Sequence, residues 1–130
     1  MKILYDHQAF SNEKFGGISK YYCELMKNIP SEHKFNLSLI LSDNQYLKEE
    51  YDFFRKMIIP WSDREFSGKS FLKRKIDFIN RQYSRHSISS NKYDLFHPTF
   101  YDDYFLDRLK RPFIITIHDL IIFKLSRIHI

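Results

Sequence analysis

Short apolar runs of strand length alternate along this chain with longer stretches of helical periodicity. The runs lie at residues 2–6, 34–41, 57–60, 93–98 and 112–117, and the helical stretches at 18–29, 45–56, 68–86 and 101–109. Two apolar sets recur at spacings of four, three and four: Ile18, Tyr22, Leu25 and Ile29, and Leu72, Ile76, Ile79 and Tyr83. Residues so spaced share one helix face. The alternation predicts an α/β protein, a parallel sheet flanked by helices, with 112–117 as the most fully buried strand.

Length and composition narrow the class of protein further. The chain has 130 residues, 43% of them apolar and 18% aromatic, which excludes a disordered or low-complexity chain. Cys23 is the sole cysteine, so an internal disulfide scaffold is excluded and a reducing compartment is expected. The sequence has no apolar run of bilayer length, and the acid Asp6 comes too early for a signal peptide. We therefore expect one soluble, cytoplasmic domain.

Polar residues follow several of the predicted strands. In parallel sheets, ligands bind beyond the carboxyl ends of the strands, so these positions are candidates for a site. They are Asp6, His7, Asp43, His97, Thr99, His118 and Asp119. An imidazole such as His118, beside a carboxylate, can hydrogen-bond a sugar hydroxyl or transfer a proton, although a polar pair ending a strand is often only a turn. No metal-binding spacing is present, so no metal is predicted.

A glycine pair, Gly16 and Gly17, opens the first long helical stretch. Glycines at a helix start let backbone N–H groups approach a phosphate, and the alternative is a tight turn that needs positive φ. The G-x-G-x-x-G pattern is missing, so dinucleotide binding is not favoured and no cofactor is predicted. Cys23, within this helix, is interpreted as core filling rather than as a nucleophile.

Residues 64–92 are strongly basic. They contain eight Lys and Arg against two acids, a net charge of +6 compared with +5 for the whole chain. The basic residues proposed to contact a membrane or a partner are Lys69, Lys73, Arg74, Arg81 and Arg85. Three interpretations stay open: a solvated helix face above a buried stripe of Leu72, Ile76 and Ile79; a surface for anionic lipid; and, least favoured, a nucleic-acid contact.

Four segments in order resemble a known family: residues 2–6, 15–22 (Phe-Gly-Gly-Ile-Ser-Lys-Tyr-Tyr), 94–99 (Asp-Leu-Phe-His-Pro-Thr) and 112–120. They are similar to the N-terminal half of bacterial family 4 glycosyltransferases, retaining enzymes of the GT-B fold that build surface polysaccharides. The resemblance covers residues 1–120, nearly the whole chain. It implies a Rossmann-like N-terminal, acceptor-side domain, facing a second such domain that holds the nucleotide-sugar.

The resemblance also implies roles for individual residues. Gly16 and Gly17 would lie near the diphosphate of the donor, and His118 would face the transferred sugar. Asp119 would orient the loop beyond it, and His97 with Thr99 would lie at the cleft edge. Such enzymes generally need no metal, because positive charge and backbone donors stabilise the departing diphosphate.

The chain departs from the family at its C-terminus, where residues 121–130 form an atypical tail and the donor-binding domain is absent. We expect a truncated enzyme, a split one whose second chain carries that domain, or a degenerate remnant. When completed, it would transfer a sugar from a nucleotide-sugar to a glycan or lipid-linked acceptor. Without that domain it would be close to inactive, since half a cleft cannot position both substrates. The alternative is a non-catalytic basic module on an anionic membrane surface, at the inner face of the membrane, or on a partner chain.

Overall fold

The computed structural model describes residues 1–59 and 64–118. In this part of the chain the elements are β1 (Lys2–Tyr5), α1 (Gln8–Asn12), α2 (Gly17–Lys27), β2 (Lys34–Leu37), β3 (Leu41–Ser42), α3 (Gln45–Glu49), α4 (Tyr51–Phe54), β4 (Met57–Ile58), α5 (Lys69–Ser89) and β5 (Leu95–His97). Asp119 and the tail at 121–130 lie outside the described residues. The protein is an α/β fold, as the alternating pattern predicts.

Three strands form a parallel sheet in the order β2–β1–β5. The chain leaves the central strand β1 towards β2 on one side and later returns to β5 on the other. This reversal of direction is the arrangement that creates a crevice at the carboxyl ends in doubly wound sheets. The arrangement is compatible with a Rossmann-like fold. The predicted strand at 57–60 is found as β4, but it pairs with β3 in a separate two-stranded parallel sheet.

Neighbouring residues of β1 face two different cores, because side chains alternate across a strand. Tyr5 packs in a cluster with residues of α1, α2, β2, α3, α4 and the turn after β2: Ala9, Phe10, Tyr22, Cys23, Met26, Leu37, Leu39, Leu47 and Phe54. Leu4 packs in a second cluster with Ile88, Tyr93, Phe96, Tyr104 and Phe105. Helix α2 therefore covers one face of the sheet and α5 the other.

The two long helices are confirmed, but both bury a different stripe from the predicted one. In α2 the buried residues are Ser19, Tyr22, Cys23 and Met26, and the predicted Ile18, Leu25 and Ile29 pack only at the margin of the core. In α5 the buried residues are Ile76, Asn80, Ser84 and Ile88. The predicted Leu72 and Ile79 are exposed, so the interpretation of a buried Leu72/Ile76/Ile79 stripe is wrong.

The buried stripe of α5 includes two polar residues, Asn80 and Ser84. They are buried because their side chains form hydrogen bonds with backbone groups in and near β3. The Asn80 amide oxygen accepts from the N–H groups of Ile40 at 2.9 Å and Leu41 at 3.1 Å, and its nitrogen donates to the Leu41 carbonyl at 2.7 Å. Ser84 donates to the Ser38 carbonyl at 2.8 Å. These bonds attach α5 to the turn after β2.

We expect Asn80→Ala to lower the free energy of unfolding by about 2 kcal/mol, because it leaves three partly buried backbone groups without their partners. Urea denaturation measures the change. Gln82→Ala, an exposed amide on the same helix, is the matched control and should change stability by less than about 0.5 kcal/mol. Equal effects of the two substitutions would show that the Asn80 hydrogen bonds contribute nothing.

Three other predicted elements are shorter than expected. The strand at 34–41 is divided into β2 and β3, because the chain turns at Ser38, whose N–H and hydroxyl both donate to the Tyr5 carbonyl. The helix at 45–56 is divided into α3 and α4 at Glu50, and α4 ends at Arg55 in the left-handed region. The helix at 101–109 is a series of turns rather than a helix, anchored by the buried Tyr104 and Phe105.

The prediction of a fully buried strand at 112–117 is wrong. Only Phe113 forms a bridge, with Phe96 of β5, through hydrogen bonds on either side of it. The next residue of that ladder is Pro98, directly after β5, and it has no amide hydrogen to donate, so regular pairing stops. The apolar side chains of Phe113, Ile114, Ile115 and Ile117 are exposed.

Helices α1 to α5, searched over the described ranges, include none with the length and apolar character that crossing a bilayer requires.

Candidate functional site

A fully buried carboxylate, Asp6, joins the ends of β1 and β5. Its oxygens accept from the N–H of Thr99 at 2.8 Å and from the Thr99 hydroxyl at 2.7 Å. They also accept from the Tyr104 hydroxyl at 2.8 Å and the Gln8 side chain at 2.7 Å. The Thr99 hydroxyl in turn accepts from the Ala9 N–H at 3.0 Å. This network holds the two loops at the carboxyl edge of the sheet in one arrangement.

On the α2 face of that edge, two histidines meet a tyrosine. His97 is paired with Tyr5 in the sheet register, and its Nε2 lies 2.8 Å from the Thr116 hydroxyl and 3.4 Å from the Tyr22 hydroxyl. The Nε2 of His118 lies 3.4 Å from that same Tyr22 hydroxyl. The Tyr101 hydroxyl accepts from the backbone N–H of His118 at 2.9 Å, which fixes the position of the histidine backbone.

Burial keeps these side chains in their neutral forms. Desolvation lowers the pKa of His97 from the ordinary 6.5 to about 4; Asp6 partly opposes this change, and His118 adds to it. Desolvation also lowers the pKa of His118 and raises the pKa of the Tyr22 hydroxyl. Each neutral imidazole carries one N–H donor and one acceptor nitrogen. His97 is buried, with its Nε2 against Thr116 and Tyr22, so the partly exposed His118 is the imidazole that can reach a ligand. As a neutral ring it can donate to or accept from a hydroxyl group without introducing charge.

The glycine pair lies at the start of α2, which also carries Tyr21 and Tyr22. Gly16 has extended backbone (φ −178°) and caps the helix, and Gly17 begins it, so the alternative of a positive-φ turn is wrong. A side chain at Gly16 would collide with the carboxylate of Glu13, which lies against it. Burial raises the pKa of Glu13, and its Oε1 has no hydrogen-bond partner among the described residues. A carboxylate thus already lies beside this helix N-terminus, where a phosphate was predicted.

On the α5 face of the same edge, a cavity of about 300 Å³ opens beside His7. Its lining is polar apart from one ring, and consists of His7, Gln8, Ser11, Asn12, Asp77, Phe78, Arg81 and Asp102. The Nδ1 of His7 lies 2.7 Å from the Ser84 hydroxyl, and burial lowers the pKa of His7. Amide, carboxylate, imidazole and guanidinium groups around an aromatic ring suit a ligand with several hydroxyl groups.

A larger cavity of about 480 Å³ lies at the opposite, amino edge of the sheet. Lys2, Lys34 and Lys92 line it beside the last turn of α5. Cations are favoured near the carbonyl groups at a helix C-terminus, which explains them without a ligand. We place the candidate site at the carboxyl edge, where ligands bind in parallel sheets.

The basic residues predicted on α5 differ in their surroundings. Lys69 pairs with Glu65, Lys73 with Asp43, Arg81 with Asp102 and Arg85 with Asp107. Arg74 has no carboxylate within salt-bridge distance among the described residues, and neither does its neighbour Lys75, which the sequence prediction omitted.

The structure brings some of the predicted site residues together and separates others. His97 and His118 lie together, whereas Thr99 is fully buried below them with its hydroxyl committed to Asp6 and Ala9. Asp119 falls beyond the described residues. The prediction missed Tyr22 and Tyr104, whose hydroxyls complete the two networks; Tyr22 was assigned only to a core stripe. Across residues 1–59 and 64–118, no group of three or more His, Cys, Asp or Glu could hold a metal ion.

Fold and site together define an α/β protein with buried titratable side chains gathered at the carboxyl edge of a parallel sheet. Comparisons with protein-family models, with curated proteins and with solved structures found no match to the chain. The resemblance to glycosyltransferases therefore stays a prediction.

Proposed function

We propose that this chain is the acceptor-side half of a retaining family 4 glycosyltransferase of the GT-B fold. A single observation supports the proposal most. The segments that carry the resemblance, which are far apart in sequence, meet at one edge of the sheet: Tyr22 from the segment at 15–22 contacts His97 from 94–99 and His118 from 112–120.

In the proposed enzyme, the two faces of this edge bind different substrates. The cavity of about 300 Å³ beside His7 receives an acceptor sugar, whose hydroxyls bond to Arg81 and Asp102 while its apolar face rests on Phe78. His118 faces the sugar being transferred, which comes from a nucleotide-sugar held by a second domain or a second chain, while the buried His97 lies at the edge of the cleft. The oxygen of an acceptor hydroxyl bonds to the anomeric carbon as the bond between that carbon and the diphosphate breaks, and the hydroxyl proton leaves with the diphosphate.

Fusion to a donor-binding domain tests this function. Fusion of the chain to the donor-binding domain of a family 4 glycosyltransferase should produce transfer of a radiolabelled sugar from its nucleotide to a glycan acceptor. A fusion that melts cooperatively, binds nucleotide-sugar and transfers nothing to a panel of glycan and lipid-linked acceptors would contradict the proposal.

In that fusion we expect His118→Ala to lower the rate of transfer about tenfold, because it removes a hydrogen bond to the transferred sugar. His86→Ala, at an exposed histidine on α5, is the matched control and should leave the rate unchanged. Transfer that survives His118→Ala undiminished would show that the assigned role of His118 is wrong.

A further inference from the structure

The N-terminal half of α5 presents an apolar stripe to solvent. Phe71 is 55% exposed and Phe78 is 61% exposed, and their spacing of seven positions places both rings on the same side of the helix. That side is opposite the buried Ile76 and Asn80. Single exposed apolar residues are common, but here Leu72 and Ile79 extend the stripe along one flank. Packing against the sheet does not account for this stripe.

Two cations lie within the stripe. Arg74 and Lys75, together with Phe71 and Phe78, line a shallow depression of about 410 Å³, and we name these four residues the α5 outer face. The ammonium of Lys75 lies 5.2 Å from the centre of the Phe71 ring. The neighbouring cations Lys73, Arg81 and Arg85 each pair with a carboxylate, whereas Arg74 and Lys75 have none within reach among the described residues. The outer face therefore presents positive charge that no carboxylate among residues 1–59 and 64–118 neutralises.

We propose that the α5 outer face docks on the surface of an anionic lipid bilayer. A helix with exposed aromatic and aliphatic residues flanked by cations lies in the plane of the lipid headgroups, with its apolar side chains at the acyl boundary. Unpaired Lys and Arg are attracted by anionic headgroups. The aliphatic Leu72 and Ile79 provide no stacking surface for bases, so lipid fits the patch better than nucleic acid does. The docking does not depend on the proposed enzymatic function.

Sedimentation of the full chain with vesicles tests the docking. Vesicles of phosphatidylcholine with phosphatidylglycerol should bind the protein, vesicles of phosphatidylcholine alone should bind it much more weakly, and added salt should weaken the binding. Binding that is equal for both compositions, or absent from both, would overturn the proposal.

Substitutions separate the apolar and the charged contributions. The double variant Phe71→Ser with Phe78→Ser should lose binding by more than about tenfold. Arg74→Gln with Lys75→Gln should lose roughly thirtyfold. If only the charge variant loses binding, the apolar face does not enter the lipid boundary and the proposal is wrong.

Two controls match these variants. Tyr51→Ser removes a ring that is 54% exposed on α4, and Lys34→Gln with Lys92→Gln removes two charges at the amino edge of the sheet. Both should bind vesicles as the wild type does, and all variants should melt cooperatively. Sedimentation equilibrium tests whether the outer face instead binds a second copy of this chain. If the two Phe→Ser substitutions convert a dimer to a monomer without changing vesicle binding, the face is a dimer interface and the proposal fails.

Discussion

Replacing Asp6 with alanine is expected to lower the free energy of unfolding by about 4 kcal/mol. The carboxylate is fully buried and accepts hydrogen bonds from Thr99, Tyr104 and Gln8. Alanine leaves all these donors in the interior without an acceptor, and each unsatisfied buried donor costs about 1–3 kcal/mol. Urea denaturation followed by circular dichroism measures the loss, and Asp6→Asn, which keeps the shape, gives an intermediate value if the alanine variant does not fold.

Asp94→Ala is the matched control for Asp6. Asp94 also accepts a hydrogen bond from a neighbouring strand, the N–H of Lys2 at 2.8 Å, but it does so at an exposed position. Its loss should cost less than about 1 kcal/mol, because water replaces it. A similar cost at the two positions would mean that burial of the Asp6 network does not contribute to the stability of the carboxyl edge.

Acidification is expected to destabilise the protein through His97. Its pKa is about 4 in the folded protein, compared with 6.5 when it is exposed. Between these two values the unfolded chain binds a proton that the folded protein does not, so the free energy of unfolding falls as the pH is lowered. The titration of His97 leaves the free energy of unfolding unchanged above pH 6.5 and lowers it by about 3 kcal/mol once the pH reaches 4.

The variant His97→Gln isolates this effect, because carboxylates titrate in both proteins and cancel in the difference. Free energies of unfolding, measured in urea from pH 7 to pH 4, should fall less steeply in the variant than in the wild type. Parallel curves for wild type and His97→Gln would show that His97 takes up its proton as readily in the folded protein as in the unfolded chain.

Periodicity predicted the first strand and the two long helices, but it predicted the shorter elements and the buried faces of the helices less well. The strand at 2–6, the helix starting at Gly17 and the long α5 all follow from local patterns. The burial of Asn80 and Ser84 depends on open backbone groups near β3, a tertiary contact that hydrophobic spacing does not encode. The segment at 112–117 reads as a buried strand because it is rich in Ile and Phe, whereas its pairing depends on Pro98 in another segment.

The candidate site was predicted in outline, because the carboxyl ends of parallel strands must lie at one edge. The rule brings Asp6, His97 and His118 to the same region, as found. The rule cannot predict how deeply each residue is buried, since Thr99 follows β5 closely and yet is fully buried. Nor does it identify Tyr22, whose ring is part of the core while its hydroxyl reaches the histidines. A tyrosine has an apolar ring and a polar hydroxyl, so it can pack in the core and form a hydrogen bond at the site. A hydrophobic sequence pattern indicates only the packing in the core.

Phe78 borders two surfaces at once, the cavity beside His7 and the α5 outer face. With α5 resting on lipid, the opening of that cavity lies within a side chain's length of the headgroups. A molecule tethered to the leaflet would then find the protein by lateral diffusion in two dimensions, and its polar head would enter without the tether ever leaving the hydrocarbon.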